Sequence, residues 1–191
     1  VFDGKHVSFM GTDYDKTLIV NSFSKTFAMT GWRIGYIIST NVEAMKQIIK
    51  MQYYITACSN DAMQYAVLAA MEHASDYPDK IAKEFQQRCE LIVKRLNEMP
   101  GVECHKPKGA IYVFPKVIVP GMNSEELALE LLKDGVLCSP GSAFGPSGEG
   151  HLRFAYTISK EDITKGMDKM EETLKRLHGL RLYVFIGRVS L

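Results

Sequence analysis

Apolar and polar positions along this chain follow two periods, one helical and one strand-like. Residues 17–22, carrying Leu18, Ile19 and Val20, read as a buried strand, and residues 32–39 as a second strand after a turn. Asn41 is placed to cap a helix in which Val42, Met45 and Ile49 share one face. An apolar, alanine-rich helix is predicted from about Asp61 to His73. Asp76-Tyr77-Pro78 then opens a long helix, because proline is tolerated in a first turn. Ile81, Phe85, Cys89, Ile92, Leu96 and Met99 keep helical spacing until Pro100-Gly101 ends it.

Beyond that point the period shortens. Residues 102–106 and 110–115 read as short strands joined by a Pro107-Lys108-Gly109 turn. Asn123 or Ser124 caps a helix carrying Leu127, Leu131 and Leu132. Residues 136–139 and 151–156 read as further strands, separated by the glycine-rich loop 140–150. Alternation in the last strand puts His151, Arg153 and Ala155 on one face and turns Leu152, Phe154 and Tyr156 to the core. Ser159 with Asp162 resembles a capping box, opening a helix lined by Ile163, Met167, Met170, Leu174 and Leu177. From Leu180 to Ile186 the alternation is strand-like, and residues 179–191 form a tail of unassigned role.

Composition narrows the class. A chain of 191 residues suits one domain, or one domain with part of another. With 46% apolar and 24% charged residues it can bury a core and is not disordered. The net charge of +1 provides no global field to draw in nucleic acid or anionic lipid, so recognition falls to a local site. Cys58, Cys89, Cys104 and Cys138 are widely spaced and form no CxxC pair, which argues against a metal site or a disulfide framework and fits a reducing compartment. No apolar stretch spans a membrane and no signal peptide opens the chain, so a soluble, cytoplasmic protein is expected.

Candidate chemistry gathers around Lys25, in the stretch Asn21-Ser22-Phe23-Ser24-Lys25-Thr26-Phe27-Ala28-Met29-Thr30-Gly31-Trp32-Arg33-Ile34-Gly35-Tyr36. A lysine amine acts as a nucleophile only when neutral, and desolvation at a buried strand end beside Phe23 and Phe27 would push it that way. Lysine forms Schiff bases with carbonyls, including the aldehyde of pyridoxal phosphate. Ser22 and Ser24 offer hydroxyls to a phosphate, and Arg33 offers a planar fork. Taken alone, Lys25 reads as a surface lysine in a serine-rich loop. Arg153 presents a second guanidinium, of the kind that grips a carboxylate with two hydrogen bonds; alone it reads as a solvated strand residue. His151 reads as a loop support, Tyr53, Tyr54 and Tyr65 as core or interface residues, and Asp3 as a turn residue.

The stretch 21–36 resembles the cofactor-lysine signature of the class I/II aminotransferases, the aspartate and aromatic amino-acid aminotransferase family of fold-type I pyridoxal-phosphate enzymes. The resemblance extends through Lys106-Pro107-Lys108-Gly109-Ala110-Ile111-Tyr112-Val113-Phe114-Pro115 and through Pro140–Gly145 and Gly148–Arg153, covering residues 2–177. It implies an α/β fold, the C-terminal part of the fold-type I transferase: residues 1–75 from the large cofactor-binding domain, and 76–178 the interdomain helix and small domain. It implies pyridoxal 5′-phosphate as cofactor, with Lys25 catalytic and covalently attached, and Ser22, Ser24 and Arg33 around the phosphate. Arg153 would bind the substrate carboxylate, in a homodimer acting on an amino acid and a 2-oxo acid.

The same resemblance marks a departure. Family groups that grip the phosphate, stack on the cofactor ring and contact its nitrogen through an aspartate would lie upstream of Val1. Three readings stand: an aminotransferase or a piece of one, a C–S or cyclising lyase of the same fold, and a truncated, inert dimerising or binding domain.

Overall fold

A computed structural model describes residues 1–186 other than Asp3, Lys5 and Asp13, with side chains described as far as residue 179. The expectation for Asp3 therefore lies outside the described residues, as do residues 187–191 of the tail. The chain forms two compact units, one of residues 5–81 and one of residues 1–4 with 82–191. Among the described residues no helix is long and apolar enough to cross a membrane.

In the first unit, β1 (Ile19–Ser22) and β2 (Gly35–Ile38) pair antiparallel, with Ile19 opposite Ile38 and Ser22 opposite Gly35. Between them lie α1 (Phe23–Thr26), a single helical turn, and a 3-10 turn at Thr30–Trp32. Glycine is required at 35: a Cβ there would fall 2.6 Å from the Asn21 carbonyl oxygen. Two helices follow, α2 (Val42–Thr56) and α3 (Asp61–His73). Asn41 caps α2 by accepting from the Ala44 N–H at 2.9 Å, and Asn60 caps α3 by accepting from Met63 N–H at 3.3 Å. Met29, Ile34 and Val67 form the small core here, with Phe23, Phe27, Met63 and Ala70 packed against it. The strands are largely exposed, Val20 at 73%, which corrects the buried strand expected for residues 17–22. The two strands pair with no third strand in their sheet among the described residues, so both edges of the ribbon are open.

The helix α4 (Tyr77–Asn97) follows, with Cys89, Ile92 and Leu96 buried at the expected spacing. It ends where Asn97 turns back, its amide donating to the Cys104 carbonyl and its oxygen accepting the Cys104 N–H, both at 2.9 Å. Five short strands complete the second unit's sheets: β3 (Val102–Glu103), β4 (Tyr112–Val113), β5 (Lys116–Val117), β6 (Ser139–Pro140) and β7 (Leu152–Ala155). The expected hairpin of residues 102–106 with 110–115 is not formed. β3 pairs with β5, while β4 joins β7 and β6 in the order β4-β7-β6, all antiparallel. Tyr156 explains the choice: fully buried, it donates its hydroxyl to the Ala110 carbonyl and its N–H to the Ile111 carbonyl, drawing this segment toward β7.

α5 (Ser124–Lys133) carries the complete capping box, with Asn123 accepting from Glu126 N–H and Glu126 accepting from Asn123 N–H. Leu127 and Leu131 enter the core, whereas Leu132 is 48% exposed and faces outward, against expectation. α6 runs Lys160–Ile186, and its first turn is fixed by the Ser159–Asp162 pair. The strand-like alternation of 180–186 is overridden, because extending an existing helix by one residue is far easier than nucleating a new element. Ile163, Met167, Met170 and Leu174 pack with α4, α5 and β7 residues in one core.

Candidate functional site

Lys25 sits in the last turn of α1, and the chain's own chemistry makes that turn possible. Ser22 stands at the N-cap in extended conformation, its hydroxyl accepting the Ser24 N–H at 3.3 Å. Thr30 donates its hydroxyl to the Ser24 carbonyl at 3.0 Å, tying the turn to the following segment. Ala28 and Arg33 both adopt left-handed conformations (φ 56° and 54°), so the backbone doubles back twice in six residues. Arg33 donates to the Thr30 carbonyl at 2.8 Å. No carboxylate pairs with Lys25 or Arg33 among the described residues, which leaves one amine and most of a guanidinium fork for a ligand. Arg33 borders a groove of about 510 Å³ shared with Asn21, Gly35, Tyr36, Gln52 and Tyr53.

One expectation about Lys25 fails. It is exposed, as are Thr26 and Ser22, while its neighbour Ser24 is half-buried. Phe23 and Phe27 are half-buried and pack against Tyr36 (5.2 Å from Phe23) and Tyr77 (6.3 Å from Phe27). Desolvation of Lys25 is therefore not provided within this unit. Tyr53, Tyr54 and Tyr65 are likewise 69–74% exposed, so they are not core residues.

Arg153 belongs to the second unit, in the middle strand of the β4-β7-β6 sheet. Buried Leu152, Phe154 and Tyr156 anchor the opposite face, as the alternation predicted. Ser139, directly across on β6, accepts from the Arg153 guanidinium at 3.2 Å. The guanidinium carbon lies 4.7 Å from the ring centres of both Tyr112 and Phe144. His151 supports the preceding loop: its ring stacks on Phe114 at 5.1 Å, its Nδ1 meets the Glu149 carbonyl, and its own carbonyl accepts the Gly141 N–H. Glu149 fastens the same loop to α5. Hydrogen bonds from the Gly150 N–H, the Ser124 hydroxyl and the Ser124 N–H hold its carboxyl below the usual carboxylate range. Sequence reasoning missed Ser139, Tyr112, Phe144 and Glu149. Ser139 and Tyr112 were findable only with the strand register, which the sequence left open.

Against known families, residues 3–170 match the family described as aminotransferase class I and II. The chain belongs to that family. Among curated class I and II aminotransferases it is 38% identical over 176 residues to aspartate aminotransferase of Pyrococcus horikoshii, covering 91% of this chain and 45% of the relative. It is 38% identical over 181 residues to aromatic-amino-acid aminotransferase 2 of Thermococcus litoralis, covering 92% and 46%. The crystal structure of an aromatic aminotransferase from Pyrococcus horikoshii superposes with a TM-score of 0.83 at 38% identity, over 91% of this chain and 47% of that one. A mutant aspartate aminotransferase of Thermus thermophilus gives 0.82 at 28% identity, over 90% and 47%. The chain spans about half the length of the relatives it matches. Its α/β fold is thus the C-terminal part of the fold-type I aminotransferase fold.

Proposed function

We propose that this chain supplies the cofactor lysine and the substrate arginine of a pyridoxal-phosphate-dependent aminotransferase, moving an amino group from an L-amino acid to a 2-oxo acid. The observation that supports the reading is the capped turn α1, which carries Ser22, Ser24 and Lys25 within one short segment ending at Arg33, with no carboxylate paired to Lys25 or Arg33 among the described residues. That donor set fits a phosphate-bearing aldehyde: the amine for the aldehyde, Ser22, Ser24 and Arg33 for the phosphate. When bound, pyridoxal phosphate supplies an electron sink for bond breaking at the substrate Cα.

This chain's residues then have separate tasks. Arg33, with the Ser22 and Ser24 hydroxyls, would hold the phosphate. Lys25 would hold the cofactor's aldehyde carbon through Nζ, and as a free amine would carry a proton to and from the substrate Cα. Arg153 binds the α-carboxylate, which every amino acid presents, and so fixes the substrate's orientation. Relatives at 38% identity carry aspartate and aromatic names alike, so the proposal is confined to the α-amino-acid class. On this reading residues 1–75 come from the large domain and 76–178 form the interdomain helix and small domain. The working assembly is a cytoplasmic homodimer, whose other parts supply the cover that Lys25 lacks here.

The test adds pyridoxal phosphate to the 191-residue chain, records the visible absorption band, and follows an amino acid with a 2-oxo acid acceptor. A band lost in Lys25→Ala, with a new amino acid formed, supports the proposal. Pyruvate and ammonia released from a cysteine-type substrate without transfer would assign a lyase instead. No lysine-dependent band would mark the chain as inert on its own.

A further inference from the structure

We infer that Tyr112 and Phe144, together with Ser139, are positioning residues that hold the Arg153 guanidinium ready for a planar carboxylate. The inference rests on the reading of Arg153 as a carboxylate clamp and deepens it, by naming what gives the clamp its orientation.

Three elements converge on this one side chain. Tyr112 on β4 lies opposite Ala155, hence diagonal to Arg153 on the same sheet face. Ser139 on β6 lies directly opposite Arg153. Phe144 arrives from the 3-10 turn Gly141–Phe144 that follows β6. An arginine side chain loses rotamer freedom on binding, and what its surroundings have already removed is not lost again when a ligand arrives. The two rings, each 4.7 Å from the guanidinium carbon, restrict it from two separate elements without consuming an N–H donor. Ser139 accepts a single hydrogen bond at 3.2 Å. Among the described residues no carboxylate pairs with Arg153 and no other acceptor takes its N–H groups. Four of the five guanidinium donors are left for an incoming ligand. A structural arginine would be expected to spend its donors on protein acceptors, as Arg95 does on Asp168 and Glu171.

The rings are themselves held. Phe144 meets Phe114 edge-on at 5.8 Å, and Phe114 stacks on His151 at 5.1 Å. The aromatic row therefore connects the guanidinium to the loop that Gly141, Gly148 and Glu149 fix.

The experiment uses nitrogen-15-labelled chain and follows the Arg153 Nε–H resonance, assigned with Arg153→Lys, during titration with propionate at constant ionic strength. Propionamide, which has the same shape without the charge, is the control. The expected result is a saturable shift with propionate alone. Tyr112→Phe should keep the affinity within about twofold, because the ring face is retained, whereas Tyr112→Leu and Phe144→Leu should each weaken binding about threefold to fivefold. Ser139→Ala, which removes the acceptor on Nη2, should weaken binding by a smaller factor. Phe144 is 52% exposed, so its replacement leaves the core intact, and a circular dichroism spectrum checks each variant. Propionate binding that both leucine variants leave unchanged overturns the positioning role while the carboxylate-clamp reading stands. Absence of any propionate response in the parent chain overturns both.

Discussion

A single methyl group added at Gly141 would strike the loop that precedes Arg153. Its Cβ would lie 1.9 Å from the Gly148 carbonyl oxygen and 2.6 Å from that of His151. Both obstacles are backbone, so neither can swing aside like a side chain. Each also takes part in the loop's own ladder: the His151 carbonyl accepts the Gly141 N–H at 2.8 Å, and the Gly148 carbonyl accepts the His151 N–H at 3.1 Å. Relieving the clash means giving up one or both bonds. Overpacking costs about 1–3 kcal/mol and each lost backbone bond about 1 kcal/mol, so Gly141→Ala should destabilise by about 2–5 kcal/mol. With a urea slope of about 2 kcal/mol per molar, the midpoint falls by roughly 1–2.5 M. Gly166→Ala is the control of opposite sign. It lies inside α6 with nothing within 4 Å of an added Cβ, so alanine there should stabilise by about 0.5–1 kcal/mol. Urea unfolding followed by far-ultraviolet circular dichroism reads both. The sole tryptophan, Trp32, lies in the unit 5–81, so its fluorescence gives that unit's transition separately. An unchanged midpoint in Gly141→Ala, or a lowered one in Gly166→Ala, would refute the packing account of this loop.

Glu149 should stabilise the fold in a pH-dependent manner. Its folded-state pKa lies below the ordinary 4.5, so its contribution is complete above that value and disappears as pH falls through the lower folded value. Glu149→Gln should thus lower the urea midpoint at pH 7, with the gap to the parent narrowing as the pH falls below 4.5; a gap that stays constant over that fall would contradict this. Leu131→Ala, at a fully buried position, should cost about 2–5 kcal/mol, and Leu132→Ala, 48% exposed, much less; equal losses by thermal denaturation would show the helix face misjudged. Burial pushes the thiols of Cys104 and Cys138 up to about 11. Iodoacetamide at pH 8 should therefore label exposed Cys58 first, read by peptide mass spectrometry, and equal rates would count against the burial.

Local rules made the helices readable before the structure. Asn41, Asn123 and Ser159 cap where their hydrogen-bonding groups predict, and Cys89, Ile92 and Leu96 fall on one buried stripe. Strand pairing was not readable in this way. Strands of two residues carry almost no periodicity, and which neighbour residues 110–113 choose depends on a buried tyrosine hydroxyl 46 residues away in sequence. The same limit hid the surroundings of Arg153. Its alternation was legible, but Tyr112, Ser139 and Phe144 reach it only through register and a turn. For Lys25 the motif was legible and its burial was not, since solvent exposure depends on what packs over an apolar strand rather than on the strand itself.

The central claim is that Lys25 is the cofactor lysine. The most direct measurement incubates the 191-residue chain with limiting pyridoxal 5′-phosphate, reduces with borohydride, and locates the added mass by peptide mass spectrometry. The account predicts that the label concentrates on the peptide bearing Lys25 and falls when Arg33 is replaced by alanine. A label spread over exposed lysines such as Lys46 and Lys80, with Lys25 no richer than they are, would contradict it.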